Sequence, residues 1–217
     1  MSDSDLIAKV RRALGRTEPL ATAPVPPTID EPIARLVHSD LGLPELFAER
    51  AKELHMQVSP ASPEEVGEKV VAFLREHDCK KIALAGSKLL ERLEIESAIR
   101  NAGLLVTRWD EMTLDELYEY DCGVTDCTYA VAECGGLVIK PSAKHGRGVS
   151  LVPMFHIAIV EPKNFLPDMI DLMERIADDP ERHNWIMITG PSKTADIEMN
   201  VVLGVHGPNV VQTFILQ

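Results

Sequence analysis

The stretch KIALAGSKLLERLEIESAIRNAGLLVT, residues 81–107, decides the fold class. Ile82-Ala83-Leu84-Ala85 is a short, unbroken apolar run, the pattern of a strand buried on both faces. Gly86-Ser87 then turns the chain, Leu89, Leu93 and Ile99 recur at helical spacing, and Gly103 closes the helix. Leu104-Leu105-Val106 returns to extended form. A strand, a crossover helix and a second strand make a βαβ unit, whose two strands run parallel.

Outward from this unit the pattern repeats. Apolar runs follow at Leu137-Val138-Ile139, Ile157-Ala158-Ile159-Val160, Ile186-Met187-Ile188 and Phe214-Ile215-Leu216, with a helix carrying Met169, Ile170, Met173 and Ile176 among them. Alternating strands and helices predict an α/β fold with a mostly parallel central sheet flanked by helices. On the N-terminal side, Leu46, Phe47, Ala51 and Leu54 mark one helix. Ser62-Pro63-Glu64-Glu65 caps another that carries Val66, Val70, Phe73 and Leu74, so two helices are expected before the first strand. Leu6, Ile7, Val10 and Leu14 form a further amphipathic helix over residues 4–14. Pro19, Pro24, Pro26, Pro27 and Pro32 prevent regular structure after it. The expected organisation is an N-terminal helix and Pro-rich linker over residues 1–32 and one α/β domain over 33–217.

Composition narrows the functional classes. A formal net charge of -12 disfavours a nucleic-acid or anionic-membrane surface as the main partner, because both would repel the chain. No run of about 18 apolar residues occurs, and charged residues interrupt the start MSDSDLIAKVRRALG, so neither a membrane span nor a secretory leader is expected. The expected location is the cytoplasm. Cysteines at 79, 122, 127 and 134 follow no structural-zinc spacing, and reduced thiols fit that compartment.

In parallel sheets ligands collect beyond strand ends, where loops present unpaired backbone N–H groups. Three segments there carry chemistry. Gly123-Val124-Thr125-Asp126-Cys127-Thr128-Tyr129-Ala130-Val131-Ala132-Glu133-Cys134-Gly135-Gly136 reads as a short apolar helix between two turns, with Glu133 beside paired glycines that allow close backbone approach. Gly146-Arg147-Gly148 sets an arginine fork between glycines, suited to a carboxylate or phosphate. Thr189-Gly190-Pro191-Ser192-Lys193-Thr194-Ala195-Asp196-Ile197-Glu198 leaves a buried strand into a loop with hydroxyls, a lysine and two carboxylates, and His206 follows in Gly204-Val205-His206-Gly207-Pro208. The candidate binding side chains are thus Thr125, Arg147, Ser192, Lys193 and Thr194. The candidate catalytic ones are Glu133, Asp196 and His206.

Each feature also has a structural reading. Lys193 either binds an anion or pairs with Asp196 or Glu198 on the surface, where such a pair contributes little. His156, between Phe155 and Ile157, reads as a hydrogen-bonded histidine of the core or strand edge. Small cysteines are common filler in α/β cores, so no metal ligation is expected. Neither a P-loop nor a dinucleotide fingerprint follows any strand, and no ferredoxin-like cysteine run is present. No cofactor is expected.

Taken in order, the Gly123-Val124-Thr125 turn, the Ala130-Val131-Ala132-Glu133 run, Pro153 with His156, the Thr189 to Glu198 string and Gly204 to Pro208 resemble the LUD-domain family of lactate utilization protein C. The resemblance covers roughly residues 35–217 and is strongest after 120. Where that family usually reads Glu-Thr-Gly-Thr, this chain has Glu133-Cys134-Gly135-Gly136, which removes two hydroxyls. The resemblance implies a fold similar to glucosamine-phosphate deaminase, ribose-phosphate isomerase and the CoA transferases. It implies a place in the oxidation of L-lactate to pyruvate beside iron-sulfur partner proteins, with a small hydroxy or keto acid, or another anionic ligand, bound through Arg147, Lys193 and backbone N–H groups. The alternative is a stand-alone acyl- or CoA-transferase-like enzyme with Glu133 as nucleophile or general base. A purely structural or interaction role is a third reading.

Overall fold

The computed structural model describes residues 3–16, 42–181, 184–195 and 201–217, which fall in two units, Met1–Ala34 and Arg35–Gln217. The expected boundary at 32/33 and the Pro-rich linker lie outside the described residues. In the first unit, helix α1 (Asp3–Ala13) takes up the expected amphipathic segment.

The second unit is built on a six-stranded sheet of β1 (Gln57–Ala61), β12 (Val210–Leu216), β7 (Phe155–Val160), β4 (Cys122–Asp126), β2 (Lys81–Leu84) and β3 (Leu105–Arg108), in that spatial order. Every neighbouring pair is parallel. The expected α/β class and mostly parallel central sheet are therefore correct. Helices α2 (Leu43–Glu53), α3 (Val66–Glu76), α4 (Lys88–Arg92) and α5 (Ile95–Asn101) flank it, with short helices α6 (Leu114–Leu117) and α7 (Gly148–Leu151) and the later α8 (Met169–Ala177). Ser87 caps α4 by accepting the Leu90 N–H, as the Gly86-Ser87 turn implied. The single helix expected across 88–101 is two, broken where Glu94 adopts φ +51°. Among the described residues no helix is long and apolar enough to cross a membrane.

Three expectations are corrected. Strand β1 intervenes between the two helices expected before any strand. Its QVSPA sequence interleaves the polar Gln57 and Ser59 and contains Pro60, which an edge strand tolerates. The segment read as a short apolar helix is β5 (Tyr129–Val131), because Tyr129, Ala130 and Val131 pair with Val138, Leu137 and Gly136 of β6 (Gly136–Ile139). The runs at 137–139 and 186–188 do not join the parallel sheet. With β5 and β8 (Phe165–Leu166) they form a second, mixed sheet in the order β8-β5-β6-β9, where β9 is Ile186–Ile188. A two-stranded ladder of β10 (Lys193–Ala195) and β11 (Val201–Leu203) follows.

The central sheet buries both faces. On one, Val124, Ile157, Ile159 and Phe214 pack with Val70, Phe73, Leu74 and Ile99 of the helices. On the other, Ala158, Val160, Val211 and Ile215 pack with Ala130, Leu137, Ile139 and Ile188 of the second sheet and with Phe47 and Ala51 of α2. The second sheet therefore lies over the β7–β12 half of the first.

Candidate functional site

Where the second sheet ends over the first, a cleft of about 370 Å³ remains. Its walls are the C-terminal half of α7 with Ser150, the end of β9 with Ile188 and Thr189, and the turn before β12 with His206; Val211 forms part of the floor. Backbone bonds fix this shape. Ser192 N–H donates to Pro208 O at 2.7 Å and Gly204 N–H to Ser192 O at 2.8 Å, which clamps the loop after β9 to the turn before β12. Gly190 has φ +114°, and a Cβ there would stand 2.5 Å from the Leu54 carbonyl oxygen, so only glycine fits.

The residues singled out in the sequence divide among several places. Ser192 and His206 line the cleft, 14 residues apart in the chain and brought together by the clamp. Lys193 is exposed at the start of β10, paired in register with Leu203, and Thr194 follows it half-buried; neither lines the cleft. Asp196 lies outside the described residues, as does Glu198. Arg147 is exposed and precedes α7, where its carbonyl accepts the Ser150 hydroxyl at 3.1 Å. Glu133 lies in the turn between β5 and β6 and reaches the start of α8, where its carboxylate accepts the Met169 N–H at 3.2 Å beside the capping Asp168. That is helix-terminus chemistry, with a carboxylate at the positive end of a helix.

Thr125 is fully buried on β4, and its hydroxyl lies 2.9 Å from His156 Nε2 of β7. His156 is thus the hydrogen-bonded core histidine that its neighbours suggested. Burial, aided by the nearby His145, pushes its pKa down to about 3, so it is neutral at physiological pH. Sequence reasoning missed the residues behind this pair. His145 is 7% exposed, and its Nδ1 stands 3.5 Å from Asp126 Oδ1 at the carboxyl end of β4. Burial lowers the His145 pKa more than the carboxylate raises it, so the contact is a neutral imidazole facing a carboxylate rather than an ion pair. Lodged in the polar turn from Ser142 to His145, His145 carries no periodic signal. Its burial comes from the fold, which bonds Gly86 N–H to the Lys144 carbonyl at 2.7 Å.

The cysteines lie apart from the cleft. Burial pushes the thiols of Cys122, Cys127 and Cys134 up, away from the reactive thiolate form. Among the described residues no group of three or more His, Cys, Asp or Glu side chains could hold a metal ion.

The LUD domain model matches residues 44–216, which takes in the central sheet, the second sheet and the cleft. The chain belongs to the LUD domain family. Lactate utilization protein C of Halalkalibacterium halodurans is 28% identical to this LUD domain chain over 180 residues, covering 79% of this chain and 77% of that protein. A protein of the same name from Bacillus licheniformis is 40% identical over 119 residues, 50% of this chain and 49% of that one. The crystal structure of a DUF162 family protein from Deinococcus radiodurans superposes with a TM-score of 0.63 at 21% identity. It covers 81% of this chain and 96% of its own, a likeness that speaks to the fold.

Proposed function

We propose that this LUD domain chain is a component of a lactate-utilization system and binds a small 2-hydroxy or 2-keto monocarboxylate in the cleft between α7, β9 and the turn before β12. The observation that carries this reading is the meeting of Ser192 and His206 across one cleft, with the Ser150 and Thr189 residues beside them. Such a combination, an apolar wall with a few convergent polar groups, is the usual form of a small-molecule site. The names of the relatives supply the substrate class, since the proteins from Halalkalibacterium halodurans and Bacillus licheniformis are lactate utilization proteins. Oxidising a 2-hydroxy acid to a 2-keto acid releases two electrons and two protons. Iron-sulfur partner proteins take the electrons in this proposal, as the family resemblance implies. The cleft is favoured over an acyl-transfer centre at Glu133 because the Glu133 carboxylate is engaged with the Met169 N–H.

Titration calorimetry of the purified full chain with L-lactate and with pyruvate tests the reading. One saturable site is expected, weakened about tenfold, or about 1.4 kcal/mol, in Ser192→Ala and in His206→Ala. Saturable binding that both variants leave untouched would move the site elsewhere, and no binding of either acid would refute the reading.

A further inference from the structure

Helix α1 (Asp3–Ala13) belongs to the first unit and leaves its apolar side uncovered. Leu6, Ile7, Val10 and Leu14 are 54, 51, 50 and 60% exposed, and at helical spacing they fall within one arc of about 100°. An 11-residue helix is marginal by itself in water and draws most of its stability from packing such a face. The helix nonetheless ends in a built cap. Arg16 N–H donates to Arg11 O at 2.9 Å and Gly15 N–H to Arg12 O at 3.0 Å, with Gly15 at φ +67°. These are the two bonds of a Schellman motif, which usually brings an apolar pair together, one residue from the last helical turn and one from just past the cap. Here the two positions hold Arg11 and Arg16. Like charges drawn to one place repel unless an anion joins them.

We propose that α1 is an interfacial helix that lies on an anionic lipid surface, with its four aliphatic side chains at the acyl boundary and its arginines on the lipid phosphates. Charge complementarity selects this occupant. The chain as a whole carries -12 and would be repelled, yet Lys9, Arg11, Arg12 and Arg16 fall between Asp5 and Glu18 with no carboxylate among them. Arg11 borders the apolar arc, and Lys9 and Arg12 lie on the side away from it, the distribution of a helix lying in the plane of a membrane. At about 16 Å the helix is too short to cross a bilayer, so it lies on the surface rather than through it. An acidic groove on another protein meets the same charge requirement and is the poorer fit. Protein interfaces are anchored by large aromatic side chains in shaped pockets, and the first aromatic residue of this chain is Phe47. Aliphatic side chains entering a fluid acyl phase need no matching shape. Acid binding in the cleft uses none of these residues, so either proposal can fail without the other.

The test is flotation of the full chain with two kinds of vesicle, phosphatidylcholine alone and phosphatidylcholine with phosphatidylglycerol in equal parts. At about 0.1 M salt, binding to the anionic vesicles is expected to be at least about tenfold tighter than to the neutral ones, and to fall toward the neutral value near about 0.5 M as the attraction is screened. Leu6→Glu with Val10→Glu should abolish binding to both. Arg11→Gln with Arg16→Gln should weaken binding to the anionic vesicles at least about fivefold and leave binding to the neutral ones unchanged. Thermal unfolding of each variant shows whether the folded domain is intact. Equal binding to the two kinds of vesicle, or none, overturns the proposal. So does wild-type binding by the Leu6→Glu, Val10→Glu variant, since the attraction would then arise elsewhere in the chain. A lipid-free dimer that this variant turns into monomers would assign the face to a second copy. Failure to float without dimerisation would leave an acidic groove of another protein as its cover, and both outcomes overturn the lipid surface.

Discussion

The two faces of the central sheet are both covered and differently made. Ile157 and Ile159 of β7 point into a largely apolar face closed by α3 and α5, where Gln212 is the buried polar neighbour in register with Ile157. Their neighbour His156 points the other way, and with Thr125 and Thr213 it puts polar groups under the second sheet. Stability alone accounts for the first face, since burial of apolar side chains is the dominant favourable contribution to folding. On the second face the same strands carry groups that are costly to bury, and that is the face on which the cleft opens. Alternation along a single strand thus separates what holds the fold from what the fold presents.

The contrast breaks most readily at Gly123, where α7 is pressed against β4. A Cβ at that position would stand 1.7 Å from the Val149 carbonyl oxygen, a backbone atom that cannot rotate away. Gly123→Ala is expected to cost about 3 kcal/mol or more in urea unfolding, through overpacking. Wild-type stability in that variant would mean that α7 does not close this face. On the apolar face, Ile157→Ala removes a fully buried side chain and should cost about 2–5 kcal/mol, with acid binding in the cleft retained in the folded fraction. Loss of binding out of proportion to stability would show that the two faces are not separable.

Acid sharpens the same contrast. His156 has its folded pKa lowered to about 3, against about 6.5 for an unperturbed histidine, and that of His145 is lowered as well. Below pH 6.5 the unfolded chain then binds protons that the folded chain refuses. Stability is present in full above that pH and falls as pH drops from about 6.5 toward 3. His156 alone contributes a slope approaching about 1.4 kcal/mol per pH unit, or about 2 kcal/mol between pH 6.5 and pH 5. Urea unfolding at several pH values should show this slope, and it should shrink in His156→Gln. An unchanged slope would show that His156 is not the neutral buried group on this face.

How much of this was legible in the sequence follows from how local each signal is. The βαβ unit at 81–107 could be read because its apolar runs and glycines decide its structure by themselves. Strand β1 could not, since QVSPA becomes a strand only by pairing with β12 at the sheet edge. The Tyr129 to Val131 segment is too short for its periodicity to separate helix from strand, and pairing with β6 and β8 settles it. Within the site, Ser192 and His206 stood out as polar turn residues after apolar strands, and they share a cleft. Glu133 stood out for its glycines, yet its carboxylate serves a helix 36 residues further on. Asp126 and His145 did not stand out, because their proximity depends on a turn folding back over the end of β4.

The smallest expected effect concerns Lys193, the residue next to Ser192 and the one cation in the polar string after β9. Consecutive residues of extended chain point to opposite sides, so a chain that turns Ser192 into the cleft turns Lys193 out of it. The exposed position of Lys193 at the start of β10, in register with Leu203, agrees with that geometry. An ammonium outside the cleft can attract an anion over several ångströms without touching it, and salt screens such an attraction. Lys193→Ala should therefore change stability by less than about 0.5 kcal/mol. It should weaken L-lactate binding less than about threefold at about 0.15 M salt, with the difference vanishing near 0.5 M. Ser192→Ala should cost its tenfold at either salt concentration, because a hydrogen bond inside the cleft is poorly screened. A salt-independent loss of tenfold or more in Lys193→Ala would mean that the ammonium contacts the ligand directly. The binding site would then extend past the cleft wall onto the β10–β11 ladder.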